Sequence, residues 1–152
     1  MDKYFMHKAI VQAEKAAANY DVPVGAVIVR NNKIIGRGYN QVEKKDDATA
    51  HAEIIAIRQA IKKNGRKHLL DCTMYVTLEP CSMCAGAIVL ARIPRLVIGT
   101  KDPKTGACGS ILNIAQNEKL NHRCEITTGI LETECSQMLK DFFKQLRTDK
   151  SK

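Results

Sequence analysis

A chain of 152 residues, 45% of them hydrophobic, has enough apolar surface for one core. No run of about eighteen or more apolar residues occurs, which excludes a membrane-spanning helix, and the start, Met1 to Lys8, lacks the apolar stretch of a secretion signal, so a cytoplasmic location is expected. Twenty-four Lys and Arg against sixteen Asp and Glu leave +8, which favours a polyanionic partner and says nothing about fold.

In chain order, Phe5, Ile10, Ala13, Ala16 and Ala17 recur at helical spacing and predict a helix from Tyr4 to Asn19, stopped by Asp21-Val22-Pro23. Val24 to Arg30 and Ile34 to Tyr39 read as two strands joined by Asn31-Asn32, a pair that tolerates the positive φ of a tight hairpin. Gly36 and Gly38 mark positions where backbone approaches something closely. Gln41 to Thr49 is polar and reads as a loop, with Thr49 as the N-cap of a helix from Ala50 to Asn64 that Gly65 closes. Arg58, Lys62, Lys63, Arg66 and Lys67 crowd the end of that helix, a placement that suits either the helix dipole or a phosphate backbone.

Cys72 to Leu78 is a strand of β-branched and aromatic residues, Cys81 to Ala91 a helix, and Leu96 to Gly99 a short buried strand. Lys101 to Ser110 is a Gly- and Pro-bearing loop, and Ile111 to Gln116 is expected as a brief helix. Cys124 to Thr128 is the last strand. A closing amphipathic helix from Leu131 to Arg147 carries Leu131, Cys135, Met138, Leu139, Phe142, Phe143 and Leu146 at core spacing, ahead of a charged, frayed tail. The order predicts an α/β fold, a three-layer α-β-α sandwich with a mixed five-stranded sheet, in one domain over residues 1–152.

Of six cysteines only Cys81 and Cys84 form a close pair; Cys72, Cys108, Cys124 and Cys135 lie among apolar neighbours and read as reduced, buried small hydrophobes. Cys81 and Cys84 fall on one helical face, and with His51 they make three ligands suited to zinc, leaving a fourth position for water. Helix N-termini also favour the thiolate form. Neither His7, His68 nor His122 stands at a recognisable spacing for a fourth ligand. The Cys-x-x-Cys pair alone would equally suit redox chemistry, which needs neither His51 nor Glu53. The combined pattern, His51-x-Glu53…Pro80-Cys81-x-x-Cys84, is the signature of zinc nucleobase deaminases. There the metal acidifies water, and Glu53 would carry the proton to a ring nitrogen while the exocyclic amine leaves as ammonia.

Further motifs surround this signature. They are Val22-Pro23-Val24-Gly25-Ala26-Val27, Thr49-Ala50-His51-Ala52-Glu53-Ile54, the run from Thr77 to Ile88, Arg92-Ile93-Pro94-Arg95, the loop from Asp102 to Ser110, and the Phe-Phe-x-x-Leu-Arg ending from Phe142 to Arg147. Together they resemble the bacterial tRNA-specific adenosine deaminase family over nearly the whole chain. The resemblance implies a cytidine-deaminase-like fold and conversion of adenosine to inosine at the wobble position of a tRNA anticodon. It implies one Zn2+ per subunit, and a homodimer, joined through the Cys81–Ala91 helix, whose two subunits both touch the anticodon stem-loop. It further implies that Asn40 holds the flipped nucleoside, that Val24, Gly25 and the Ala52 backbone line its pocket, and that Asp102, Lys104, Phe142, Phe143 and Arg147 meet neighbouring nucleotides. Ala48 departs from the family, in which many members carry proline there.

An anticodon base is already unpaired, so extruding it costs little. The competing readings are a deaminase of a free base or nucleoside, and a non-catalytic RNA-binding module with a fourth protein ligand on its zinc.

Overall fold

Strands β1 (Gly25–Arg30), β2 (Lys33–Tyr39), β3 (Cys72–Leu78), β4 (Arg95–Thr100) and β5 (Glu125–Thr128) form one sheet in the spatial order β2-β1-β3-β4-β5 in the computed structural model, which describes residues 1–150. β1 runs antiparallel to both β2 and β3, whereas β3, β4 and β5 are parallel, which is the mixed five-stranded sheet expected. The helices are α1 (Asp2–Ala18), α2 (Val42–Lys45), α3 (Ala52–Asn64), α4 (Ser82–Leu90) and α5 (Glu132–Lys150).

Alternation along the strands separates two apolar layers. Ala26 and Ile28 of β1 pack with α3 and α4 through Ala56, Ala60, Ala85 and Ile88, while Val27 and Val29 face Phe5, Met6 and Ala9 of α1. The α3 layer lies very close to β2 because Gly36 and Gly38 carry no side chain. A Cβ built on Gly36 would stand 2.4 Å from the Ala56 carbonyl oxygen, and one on Gly38 2.1 Å from that of Ala52. The hairpin turn is as expected, with φ of 50° at Asn31 and 61° at Asn32.

Four local expectations are corrected. The loop from Gln41 to Thr49 contains the short helix α2, because the Asp21 carboxylate accepts the Glu43 and Lys44 N–H groups at 3.0 and 3.4 Å. Thr49 does not cap α3: its hydroxyl and N–H both bind Asp47 Oδ1, and His51 occupies the N-cap. Ile111 to Gln116 forms no helix. Its amides return to the preceding loop, Ile111 and Leu112 to the Gly106 carbonyl and Ile114 to that of Ala107, so β4 and β5 are joined without a crossover helix.

The closing helix is also less buried than its stripe predicts. Only Cys135 of α5 is fully buried, wedged against Gly99 of β4, and Phe143 and Leu146 are 42% and 37% exposed because the helix runs on past the sheet. α5 continues to Lys150, beyond the expected end at Arg147, and the last two residues of the charged tail lie outside the described residues. No helix among the described residues is long and apolar enough to cross a membrane.

Candidate active site

The site is built where two helices begin. His51 is the N-cap of α3 and Cys81 the N-cap of α4, with Cys84 in the first turn of α4, so all three donors sit at one end of the sheet. His51 Nδ1 lies 3.6 Å from Cys81 Sγ and 3.4 Å from Cys84 Sγ. Two ligands of a tetrahedral zinc ion, with Zn–N near 2.0–2.1 Å and Zn–S near 2.3 Å, are roughly 3.5 Å apart. The three donor atoms therefore fit such an ion, and no fourth His, Cys, Asp or Glu joins the cluster among the described residues.

The electrostatics follow from the packing. Cys81 is lowered to about 4, by a hydrogen bond from the Cys84 thiol first and by His51 second. Cys84 is pushed upward by donating that bond and by burial. Ligation of a metal would release its proton. His51 is raised, mainly by its contact with Cys81, and the Ala48 backbone carbonyl adds to that. A backbone acceptor does not depend on the side chain, so alanine in place of proline at position 48 leaves it available. Glu53, only 3% exposed, has its carboxyl pushed up to about 7 by burial. A carboxyl titrating near neutrality is suited to taking and returning a proton.

Above the donors lies a cavity of about 260 Å³. His51, Glu53 and Cys81 line its floor, and Val24, Asn40, Leu78 and Asp102 its walls. Asn40, 9% exposed, accepts the Ala52 N–H on its Oδ1 at 2.9 Å. That bond satisfies the first of the amides that a helix start leaves without an intrahelical partner, while the N-cap His51 makes no side-chain cap bond. Val24 is buried in the cavity wall, whereas Ala52, wholly buried, does not line the cavity and gives its N–H to Asn40. Gly25 faces the other way: a Cβ there would meet the Ala9 carbonyl oxygen at 2.0 Å, and its N–H is held by Thr77 Oγ1 at 3.1 Å.

Of the remaining expected site residues, Asp102, Lys104, Phe143 and Arg147 lie along a groove leading out of the cavity, and Phe142 does not. Leu78, Asp102 and Thr105 line both the cavity and a second depression, which also touches Lys104 and Phe143. A third depression continues past Lys101, Lys140 and Arg147 of the same groove. Asp102 spends its carboxylate on its own turn, accepting from the Lys104 and Thr105 amides and the Thr105 hydroxyl. Phe142 lines none of these depressions; it is half-buried and packs edge-on against Phe143, with ring centroids 5.4 Å apart.

One residue of the motif has a part that spacing does not reveal. Glu79 is 3% exposed and accepts the amides of Asp102, Cys108 and Ser110 at 3.0, 3.0 and 3.1 Å, as well as the Ser110 hydroxyl. Burial works to raise its pKa, but these bonds outweigh it and keep the carboxyl below its ordinary range. Glu79 thereby ties the loop that carries Asp102 and Thr105 to the end of β3. The only sequence signal was a carboxylate set between a buried strand and Pro80. All four remaining cysteines, Cys72, Cys108, Cys124 and Cys135, are free and buried, as expected.

An α-β-α sandwich that gathers one imidazole, two thiols and a buried carboxylate around one cavity is a nucleobase deaminase. The model of the MafB19-like deaminase family matches residues 1–147. The chain belongs to that family, and within it to the tRNA-specific adenosine deaminases. The tRNA-specific adenosine deaminase of Bacillus subtilis is 46% identical over 149 residues, covering 98% of this chain and 92% of the relative. That of Haemophilus influenzae is 49% identical over 150 residues, covering 98% and 87%. A solved structure from work on A-to-I editing by tRNA:A34 deaminases superposes with a TM-score of 0.86 at 41% identity, covering 90% of this chain and 99% of that one.

Proposed function

We propose that this chain hydrolyses adenosine to inosine at the wobble position of a tRNA anticodon, as a homodimer with one zinc ion in each subunit. The observation that carries this reading is the placement of Glu53, His51 and Cys81 on the lining of one cavity of about 260 Å³, with the buried Cys84 completing the donor cluster. The names of its relatives supply the substrate.

The reaction breaks the exocyclic C–N bond at C6, forms a C–O bond from water and releases ammonia. A zinc ion held by His51, Cys81 and Cys84 would supply activated water. The chain's own groups do the rest. Glu53 takes one proton from water and gives it to the ring nitrogen, then takes the second from the added hydroxyl and gives it to the departing amine. Asn40, its oxygen engaged with Ala52, presents its amide N–H2 to the nucleoside. Val24 and Leu78 give the walls an apolar lining, and a cavity of this size suits a base taken out of its stack.

The groove from Asp102 past Lys104 and Phe143 to Arg147 supports binding of the neighbouring nucleotides, with cations for phosphates and an exposed ring for stacking. Phe142 supports it indirectly, by holding Phe143. Dimerisation is supported by an apolar depression of about 320 Å³ between α3 and α4, where Leu90 stands 74% exposed beside Ile57, Ile61 and Ala87. A tRNA substrate places the working enzyme in the cytoplasm.

The test is incubation of the purified protein with tRNA transcripts, free adenosine, cytidine and guanine, with sequencing for adenosine-to-inosine changes and assay of ammonia. Inosine at position 34 of an adenosine-bearing anticodon is the expected product. Faster turnover of a free base or nucleoside overturns the tRNA reading.

A further inference from the structure

We propose that the groove between α1 and the outer face of β2 is a second RNA subsite, which takes the ribose-phosphate backbone of the tRNA beyond the anticodon loop. This rests on the tRNA reading above and adds to it a surface outside the catalytic cavity and outside the groove along α5.

The groove exists because the sheet is wider than the helices that cover it. α1 lies mainly over β1 and β3 and only edges onto β2, so Ile34 of this edge strand packs against the rim of the α1 layer and Arg37 is left exposed beside the groove. Tyr4, Lys8, Val11 and Lys15, which recur at helical spacing on α1, form the opposite wall. The space enclosed is about 500 Å³, larger than the catalytic cavity.

Its charge is of one sign. Lys8, Lys15, Lys33 and Arg37 line it, no carboxylate does, and among the described residues none of the four is in an ion pair. Tyr4, 55% exposed, offers its ring to the same space and holds the Lys8 ammonium 5.3 Å from its centroid.

The groove and the catalytic cavity share no lining residue, but β2 runs from one towards the other. Gly36 and Gly38 turn beneath α3, so Arg37 and Tyr39 share the other face of β2, about 7 Å apart. Tyr39 carries the Lys44 ammonium, 3.3 Å from its hydroxyl and 5.7 Å from its ring centroid. Asn40, in the cavity wall, follows directly. Lys44 and Arg37 thus continue the line of cations from the cavity rim to Lys33, seven residues and about 23 Å along the strand from Asn40.

The distribution selects the ligand. A small anion is held by donors converging on a point, often at a helix N-terminus. Here the cations are exposed and strung out along a track, which matches a polymer with a charge at every unit. Each neutralised phosphate releases condensed counterions, so the contribution of such a track is read in its salt dependence.

The test compares a whole tRNA with a short hairpin containing the anticodon loop and a minimal stem. The variant replaces Lys8, Lys15, Lys33 and Arg37 together by Ala, and thermal unfolding verifies that it folds. The expected result on whole tRNA is a KM about tenfold higher, unchanged kcat, and a salt slope flatter by about 3–4, with near wild-type KM on the hairpin. An unchanged slope and KM on whole tRNA, with normal turnover of the hairpin, overturns the subsite and leaves the tRNA reading standing. Equal weakening on both RNAs also overturns it, since the cations would then act at the anticodon loop. Failure of the unsubstituted protein to deaminate either RNA overturns the tRNA reading, and the subsite with it.

Discussion

Asn40 holds the first turn of α3 from outside the helix: its Oδ1 accepts the Ala52 N–H at 2.9 Å, one residue past the zinc-ligand candidate His51. One side chain thus orients both the helix that delivers His51 and Glu53 and the wall of the cavity above them. The two parts can be separated. Asn40→Ala removes the acceptor and leaves a buried amide unpaired, so urea unfolding should show a loss of about 1–3 kcal/mol. Asn40→Asp keeps the acceptor, with a negative charge suited to a helix N-terminus, and should unfold within about 1 kcal/mol of the parent. Both should lose turnover. A fully active Asn40→Asp enzyme would show that the amide N–H2 has no part in holding the nucleoside.

Glu53 is buried at the cavity floor and is not among the three converging donor atoms. Glu53→Gln preserves its shape without its proton chemistry. Turnover should fall by about 10²–10⁴, the usual worth of a positioned acid–base group. Zinc content measured by elemental analysis should stay at the level of the parent. A loss of metal in proportion to activity would make Glu53 a ligand instead of a proton carrier.

Glu79 anchors the loop from Asp102 to Ser110 with one carboxylate and four donors. Glu79→Ala orphans those donors and should cost about 2–4 kcal/mol of stability, with faster hydrogen exchange at the Cys108 and Ser110 amides. Glu79→Gln retains one acceptor oxygen and should fall between. Because the loop carries Asp102 and Thr105, the KM for RNA should rise in Glu79→Gln more than kcat falls. Parental exchange rates in the Ala variant would mean that the loop stands without Glu79.

Asp2 and Arg95 fasten the N-terminal helix to β4. Arg95 Nη1 and Nη2 donate to Asp2 Oδ1 and Oδ2 at 2.9 and 2.7 Å, and the Tyr75 hydroxyl donates to Oδ1 at 2.9 Å. The Arg95 hydrogen bond is the main cause holding the Asp2 carboxyl below its usual range, against a smaller opposing effect of burial. A lowered folded-state pKa means that its stabilisation is complete above the unfolded value, about 3.9, and disappears as pH falls through the lower folded value. Asp2→Asn should therefore destabilise the protein by about 1.5–3 kcal/mol at pH 6, and by progressively less below pH 4. Denaturant midpoints of both proteins at several pH values check this. A difference that does not shrink with acid would assign the effect to packing.

The thiols offer a test of the metal centre that does not depend on activity. Cys72, Cys108, Cys124 and Cys135 are buried and are not among the clustered donors, and burial raises the pKa of each thiol. A thiol reagent applied to the folded protein should find Cys81 and Cys84 protected when zinc is bound. A strong chelator should expose those two alone, with Cys81 the faster because its pKa is held near 4. Equal reactivity before and after chelation would exclude the pair as ligands.

The chemistry of this protein was legible in its sequence because it depends on residue type at short spacing. Three candidate ligands of two types, a carboxylate two positions from one of them, and the turns that begin two helices are local facts. The five strands and the β1–β2 hairpin were equally local, set by β-branched runs and Asn31-Asn32, while the pairing of β3, β4 and β5 joins distant segments, with no helix between the last two. What only the tertiary structure decided were interactions between segments far apart in the chain. Thr49 looked like a cap, yet Asp47 claims its hydroxyl and Asn40, twelve residues upstream of Ala52, does the capping. Glu79 reads as one more acidic residue until the loop about thirty residues later closes around it. The stripe on α5 predicted burial, but the sheet ends before the helix does, leaving Phe143 at the surface. Periodicity tells which face of a helix is apolar; only the assembled sheet determines how much of that face is covered.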